Sequence, residues 1–429
     1  MNDEYKRVLI IGTVPYNEHS PSRALDSYFH GWDRDKLCQI FSNSDQPMKG
    51  HCSKLFQLTD RMILDKWLLK KGDAGIVYKY EDLLDKTINV NTRKSKIYYS
   101  EKGPFVKLLR KVLWRKKYWC NKKLELFVDE FKPEVVYLCF SDDFFLLNMS
   151  LYFANKYNVP IISSIGDDYY FNSRLSINPF YYLYKKTYKK LVDKVLHYKG
   201  GCIYISDKIR VKYDEYFEKK GITAYLASNI KRRDFKEINV QNPTINYFGN
   251  INIGRNESLV EIAKALTSIN ENYVIHVYSG EKNNKTIAPL VKQPNIIYHG
   301  SVPYSEVVNK TMESDLLLVV EGFKKKDVNM SRYSLSTKVA DSISSGVSTF
   351  AYGSSECGAI EYASQIGCCQ VCTNHQDLKR KLLEIINNVD IQKQYYEASK
   401  VIVEENHNSY KNLLKFKNYV NEVVDGAGK

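Results

Sequence analysis

The sequence predicts an α/β protein of two Rossmann-like, doubly wound domains that face each other across a cleft. Three observations carry this expectation. The chain has 429 residues, which exceeds one ordinary core and suits two domains of roughly 200 residues each. Short apolar runs rich in Val and Ile, among them RVLIIG, EVVYLCF, VPIISSIG, TINYFG, YVIHVYSG and DLLLVVEG, read as strands buried on both faces of a parallel sheet. Segments of helical period, such as 142–157 and 255–270, lie between them, and that alternation calls for crossover helices.

Taken in chain order, the first domain spans 1–225. The polar stretch AYLASNIKRRDFKEINVQNP then reads as a linker, and TINYFGN restarts the pattern with a new first strand, so the second domain spans 226–405. The remainder, 406–429, predicts an amphipathic helix ending at Gly426 and returning to the first domain. At 44% hydrophobic and 26% charged residues the composition is globular. No run of about 20 apolar residues is present to span a bilayer. The opening MNDEYKRVLIIG lacks a signal-peptide core, so a cytoplasmic protein is expected. Nine scattered cysteines fit a reducing compartment. The GCCQVC cluster (Cys368, Cys369, Cys372) reads as small apolar residues on a buried strand, because further ligands at metal spacing are missing; no metal is expected.

In open α/β sheets ligands sit at the carboxyl ends of the strands, so the loops after strands hold the candidates. After the first strand, GTVPYNEHSPSRALDSYF is not G-x-G-x-x-G, which removes the main support for a nicotinamide enzyme. Its Ser20, Ser22 and Arg23 form a helix start that attracts an acceptor phosphate, or only cap a helix. In GDDYYFN, Asp167 and Asp168 are adjacent acids past a buried strand. They serve a hydroxyl-bearing substrate as hydrogen-bond acceptors or base, or one caps and the other is solvated. The second domain opens with a strand ending at Gly249, a loop containing Asn250, and a helix from Arg255, whose guanidinium matches phosphate oxygens. In SRYSLSTKVADSISSGVSTFAYG, Ser336 and Thr337 offer hydroxyls and N–H groups at a helix start, and Lys338 adds a charge. Asp341, one turn later on the same face, is placed to accept from a ribose.

YFGNINIGRNESLVEIAKAL, NIIYHGSVPYSEVVNKTMESDLLLVV and STKVADSISSGVSTFAYG together resemble the donor-binding half of the retaining family 4 glycosyltransferases of bacterial surface polysaccharide synthesis, which have the GT-B architecture. The resemblance is specific from about 200 to 372 and weaker in the amino half. It implies that Arg255 and Lys338 hold the donor diphosphate of a nucleotide-sugar, a UDP-sugar foremost. It further implies that Gly249 gives the diphosphate room, that Asp341 binds ribose and that the backbone from His299 to Val302 meets the base. Asp167 or Asp168 would face the transferred sugar or the acceptor. The pattern departs from the family at one point. Of two acids eight positions apart, the later is Asp341 and the earlier is replaced by Tyr333; Glu321 in the preceding loop is the substitute candidate.

Net charge is +14, and between Arg93 and Lys123 twelve Lys or Arg stand against one acid, Glu101. The stretch PFVKLLRKVLWRKKYWCNKKLELF predicts a basic interfacial helix. Lys107, Arg110, Lys111, Trp114, Arg115, Lys116, Lys117 and Trp119 would face an anionic membrane and a lipid-linked or polysaccharide acceptor. Nucleic acid is set aside for want of a recognition motif. Two other readings stay open: a catalytically silent partner of another transferase, and a nucleotide-sugar epimerase.

Overall fold

The computed structural model describes residues 5–15, 23–69, 73–83, 103–173, 175–228 and 230–427. It divides into two compact units, Met1–Ala224 with Leu413–Lys429, and Tyr225–Asn412. Ser20 and Ser22 fall outside the described residues, and Arg23 opens a helix, Arg23–Phe29.

The first unit is built on β1 (Val8–Gly12), β2 (Leu37–Phe41), β3 (Lys54–Gln57), β4 (Ile76–Lys79), β5 (Val135–Cys139), β6 (Ile161–Ile165), β7 (Gly200–Tyr204) and β8 (Ile222–Thr223). They form one sheet in the order β4-β3-β2-β1-β5-β6-β7-β8, parallel except for the β3–β4 pair. β1 is central because it is apolar throughout: Val8 to Ile11 are each at most 1% exposed. It pairs with β2 on one side and β5 on the other, so the winding direction reverses there. The last helix, Ser409–Ala427, joins this unit from Leu413 onward. Its Phe416 is buried among Tyr28, Phe29, Trp32 and Tyr137, with ring centroids 5.1–5.7 Å away.

The second unit holds β9 (Ile245–Phe248), β10 (Ile275–Tyr278), β11 (Ile296–Gly300), β12 (Leu316–Val320), β13 (Ser348–Tyr352) and β14 (Gln370–Cys372). The order is β11-β10-β9-β12-β13-β14, all parallel. Winding runs outward from β9 to β11, then restarts at β12 and runs the other way. The switch point therefore lies between β9 and β12, the kind of strand-end position at which open α/β sheets take ligands.

The basic strip breaks into three helices, Pro104–Leu113, Lys116–Trp119 and Lys122–Phe131. Here the expectation of a membrane-facing face at 107–119 is corrected. Trp114 and Trp119 are buried, at 3% and 1% exposure. Trp114 stacks on Phe145 at 3.8 Å and donates Nε1–H to Asp60 at 2.6 Å. Arg110 pairs with Asp60 at 2.8 Å and with Asp143, and Lys107 pairs with Asp142. The cause is the set of three acids that the fold brings under this helix, which draws its inner cations toward the protein. Lys111, Arg115, Lys116 and Lys117 are exposed. No helix of the described residues is long and apolar enough to cross a membrane.

Candidate functional site

At the switch point of the second unit, the loop after β9 and the loop after β12 run close together. A Cβ on Gly322 would lie 2.6 Å from the Ile253 carbonyl and 3.1 Å from Gly254 Cα. Ile253 holds φ at +61° and Gly254 at +74°. A β-branched residue in the left-handed region is strained, and such strain gathers where a loop is held in a required shape. Past Gly254 the helix Arg255–Thr267 begins. Arg255 forks onto Glu321 through Nε at 3.0 Å and Nη2 at 2.9 Å. Glu321 is 2% exposed, so this is a buried ion pair.

Beside this pair lies the start of the helix Thr337–Ser345, capped by Ser336, whose hydroxyl accepts from the Lys338 N–H at 3.4 Å. The Lys338 side chain reaches across to β9. Its ammonium donates to the Tyr247 hydroxyl at 2.5 Å and lies 3.5 Å from the Asn250 carbonyl. It also sits 4.4 Å over the Tyr247 ring. Gly249 is required for this crossing: a Cβ there would stand 2.4 Å from Lys338 Cε, and its φ is +120°. The room at Gly249 is thus filled by Lys338, where sequence reasoning kept it for a diphosphate. Desolvation, then repulsion by Arg255, outweighs attraction by Glu321 and pulls the Lys338 ammonium down to about 7.

Asp341, one turn further on, accepts from the Ser228 hydroxyl at 2.7 Å. Val302 lies in the loop after β11, and His299 stacks on Tyr278 at 4.5 Å. Thus Gly249, Asn250, Arg255, Ser336, Lys338 and Glu321 come together at one strand-end site, with Thr337 in the same helix start. Glu321, expected to stand in for the family's earlier acid, is instead the charge partner of Arg255. Among the described residues no group of three His, Cys, Asp or Glu is placed to hold a metal.

No protein-family model matches the sequence, and no curated protein matches it. Solved structures do. S. aureus TarM is similar with a TM-score of 0.60 at 10% identity, over 97% of this chain and 99% of that one. Anabaena Alr3699/HepE, solved in complex with UDP, gives 0.59 at 10% identity, over 97% and 100%. An α,α-trehalose-phosphate synthase (UDP-forming) from Burkholderia vietnamiensis gives 0.56 at 9%, over 99% of each chain. The fold is that of the GT-B glycosyltransferases.

In this GT-B chain the acids at 167 and 168 belong to the first unit. Asp168 Oδ1 accepts from the Tyr213 hydroxyl at 2.8 Å, the Phe171 N–H at 2.8 Å and the Tyr170 N–H at 3.1 Å. Three donors on one oxygen make it the clasp of its own turn, which corrects the expectation of a working carboxylate there. Asp167 is exposed and lies 3.4 Å from the Tyr169 hydroxyl. Sequence reasoning passed over a second acid pair, Asp142–Asp143, directly after β5 at the switch point of the first sheet. SDDFF after a buried strand carries the same signature as GDDYY and was available in the sequence.

Proposed function

We propose that this chain is a glycosyltransferase that takes a sugar from a nucleoside-diphosphate sugar, UDP-sugar foremost, and passes it to a lipid-linked saccharide at the inner face of a membrane. The observation that carries the reading is Lys338 at a helix start, beside Arg255 and across Gly249, at the switch point of the second sheet. In the reading, the diphosphate sits on the N–H groups of Ser336 to Lys338 and recharges the Lys338 ammonium. A guanidinium has five N–H donors, so Arg255 keeps its fork on Glu321 and still faces a second anion. Asp341 exchanges the Ser228 hydroxyl for a ribose hydroxyl, and the loop from His299 to Val302 meets the base. Cations fixed where charge develops on the departing nucleoside diphosphate lower the barrier without a metal. The solved structures with UDP bound support the donor class. Retention at the anomeric carbon rests on the family 4 resemblance alone.

Two observations favour a second reading, a silent partner subunit: Glu321 is tied to Arg255, and Tyr333 stands where the family carries its earlier acid. A single series separates the two. UDP should raise the melting temperature, and UDP-sugars should be turned over to UDP. Lys338→Ala should keep the circular dichroism spectrum, lose the UDP shift and slow turnover by about 10²-fold. Unchanged turnover in Lys338→Ala would remove this site from the reaction. A UDP shift with no turnover of any donor supports the silent partner.

A further inference from the structure

The helix Pro104–Leu113 is mounted inside out. Residues 107, 110 and 114, at spacing i, i+3, i+7, turn toward the protein: Lys107 and Arg110 onto Asp142, Asp143 and Asp60, and Trp114 onto Phe145. The opposite face, at 105, 106, 109 and 112, is apolar and exposed. Phe105, Val106, Leu109 and Val112 are 44–52% exposed. Globular helices carry the reverse arrangement.

The face continues onto a neighbour. The Phe105 ring meets Phe180 at 5.0 Å, at the start of the helix Pro179–Leu196. Phe180 and Leu183 are 43% and 53% exposed, and Leu175 and Ile177 just ahead of them are fully exposed. The outer line of this second helix then changes character, from Phe180 and Leu183 to the exposed Lys186 and Lys190. At the other end, the first helix runs into the exposed Arg115, Lys116 and Lys117. An apolar ridge bordered by exposed cations on both helices is thus displayed on one unit.

We infer that this ridge lies in the surface of an anionic lipid bilayer. The inference deepens the proposed action on a membrane-held acceptor and rests on that reading for its setting. Charge decides between occupants. A second copy would set a surface of the same sign against these exposed cations, on a chain of net charge +14. Anionic headgroups are attracted by the same clusters while the acyl boundary takes up the apolar side chains. The anchor is therefore Phe105, Leu109, Phe180 and Leu183, and the two tryptophans of the strip do not take part.

The test is flotation of the full chain with phosphatidylcholine vesicles, with and without about a quarter phosphatidylglycerol. The wild type should float only with anionic vesicles and be released by about 0.5 M NaCl, where screening is nearly complete. Leu109→Glu with Leu183→Glu replaces two exposed side chains, so the fold should persist. This variant should lose at least about tenfold in vesicle affinity and keep its UDP melting shift. Lys116→Glu with Lys117→Glu should lose the preference for phosphatidylglycerol. Failure of the wild type to float, or flotation indifferent to the leucine changes, overturns the inference. So does a dimer that the leucine changes dissociate while vesicles stay unbound. Vesicle binding without any response to UDP upholds the surface and tells against the transferase reading instead.

Discussion

Lys338 sits in a place that penalises its own charge. Burial and Arg255 together lower it to about 7, against about 10.5 for a free lysine. Between those values the unfolded chain binds one more proton than the folded chain, so stability from this group rises with pH through that window. In the proposed reading, a diphosphate reverses the local balance and draws a proton in. Affinity for UDP, measured by calorimetry, should therefore fall as pH rises above about 7, toward one proton taken up per UDP bound. Lys338→Ala should flatten the profile, and a flat profile in the wild type would mean that Lys338 does not meet the anion. The sequence disclosed the helix start, the lysine and the strand-end glycine because each is local: Ser336 precedes the helix by one residue and Gly249 follows β9 directly. It did not disclose that Glu321 is the partner of Arg255, because those residues are 66 positions apart and meet only through the sheet order.

At the scale of elements, the inverted helix shows the same division. Its pattern states that it has an apolar face and a basic face; which one meets the protein depends on Asp60, Asp142 and Asp143, which arrive from β-strand ends far along the chain. Arg110 is the central contact, with its side chain 11% exposed and two acids upon it. Removing one partner of a buried ion pair leaves uncompensated charge. Both acids keep about a quarter of their side-chain surface in water, so Arg110→Leu should lower stability by about 1–3 kcal/mol in urea unfolding, although it makes the helix more apolar. A change near zero would mean that the acids are solvated and the helix is held by its tryptophan alone. Strands were legible to the extent that the residues they bury are apolar. β1 and β12 are continuous apolar runs, whereas β2 carries Gln39 in its middle, bonded to the Val14 carbonyl at 2.8 Å. β4 is the edge strand and β3 its neighbour, and Lys54, Gln57 and Lys79 cut their apolar runs to Leu55–Phe56 and Ile76–Tyr78, too short to stand out.

Across the whole molecule, the chain passes from the first unit to the second after Ala224 and returns at Leu413. The restart at TINYFGN announced the first passage. The return is made by an amphipathic helix, preceded by a break at His407, which is 2% exposed and bonded to the Leu226 carbonyl at 2.7 Å and the Tyr362 hydroxyl at 2.9 Å. Phe416 completes the aromatic core of the first unit although it lies more than 400 residues from the amino end. It is fully buried, and its loss leaves a ring-sized cavity between Tyr28, Phe29, Trp32 and Tyr137. Phe416→Ala should cost the first unit about 3–5 kcal/mol. UDP, bound by the second unit in the proposed reading, stabilises the state that binds it by mass action. Heating the Phe416→Ala variant with and without UDP should therefore separate two transitions, one lowered by the substitution and the other still raised by the ligand. A single transition that moves with both would show that the last helix couples the two units into one cooperative fold.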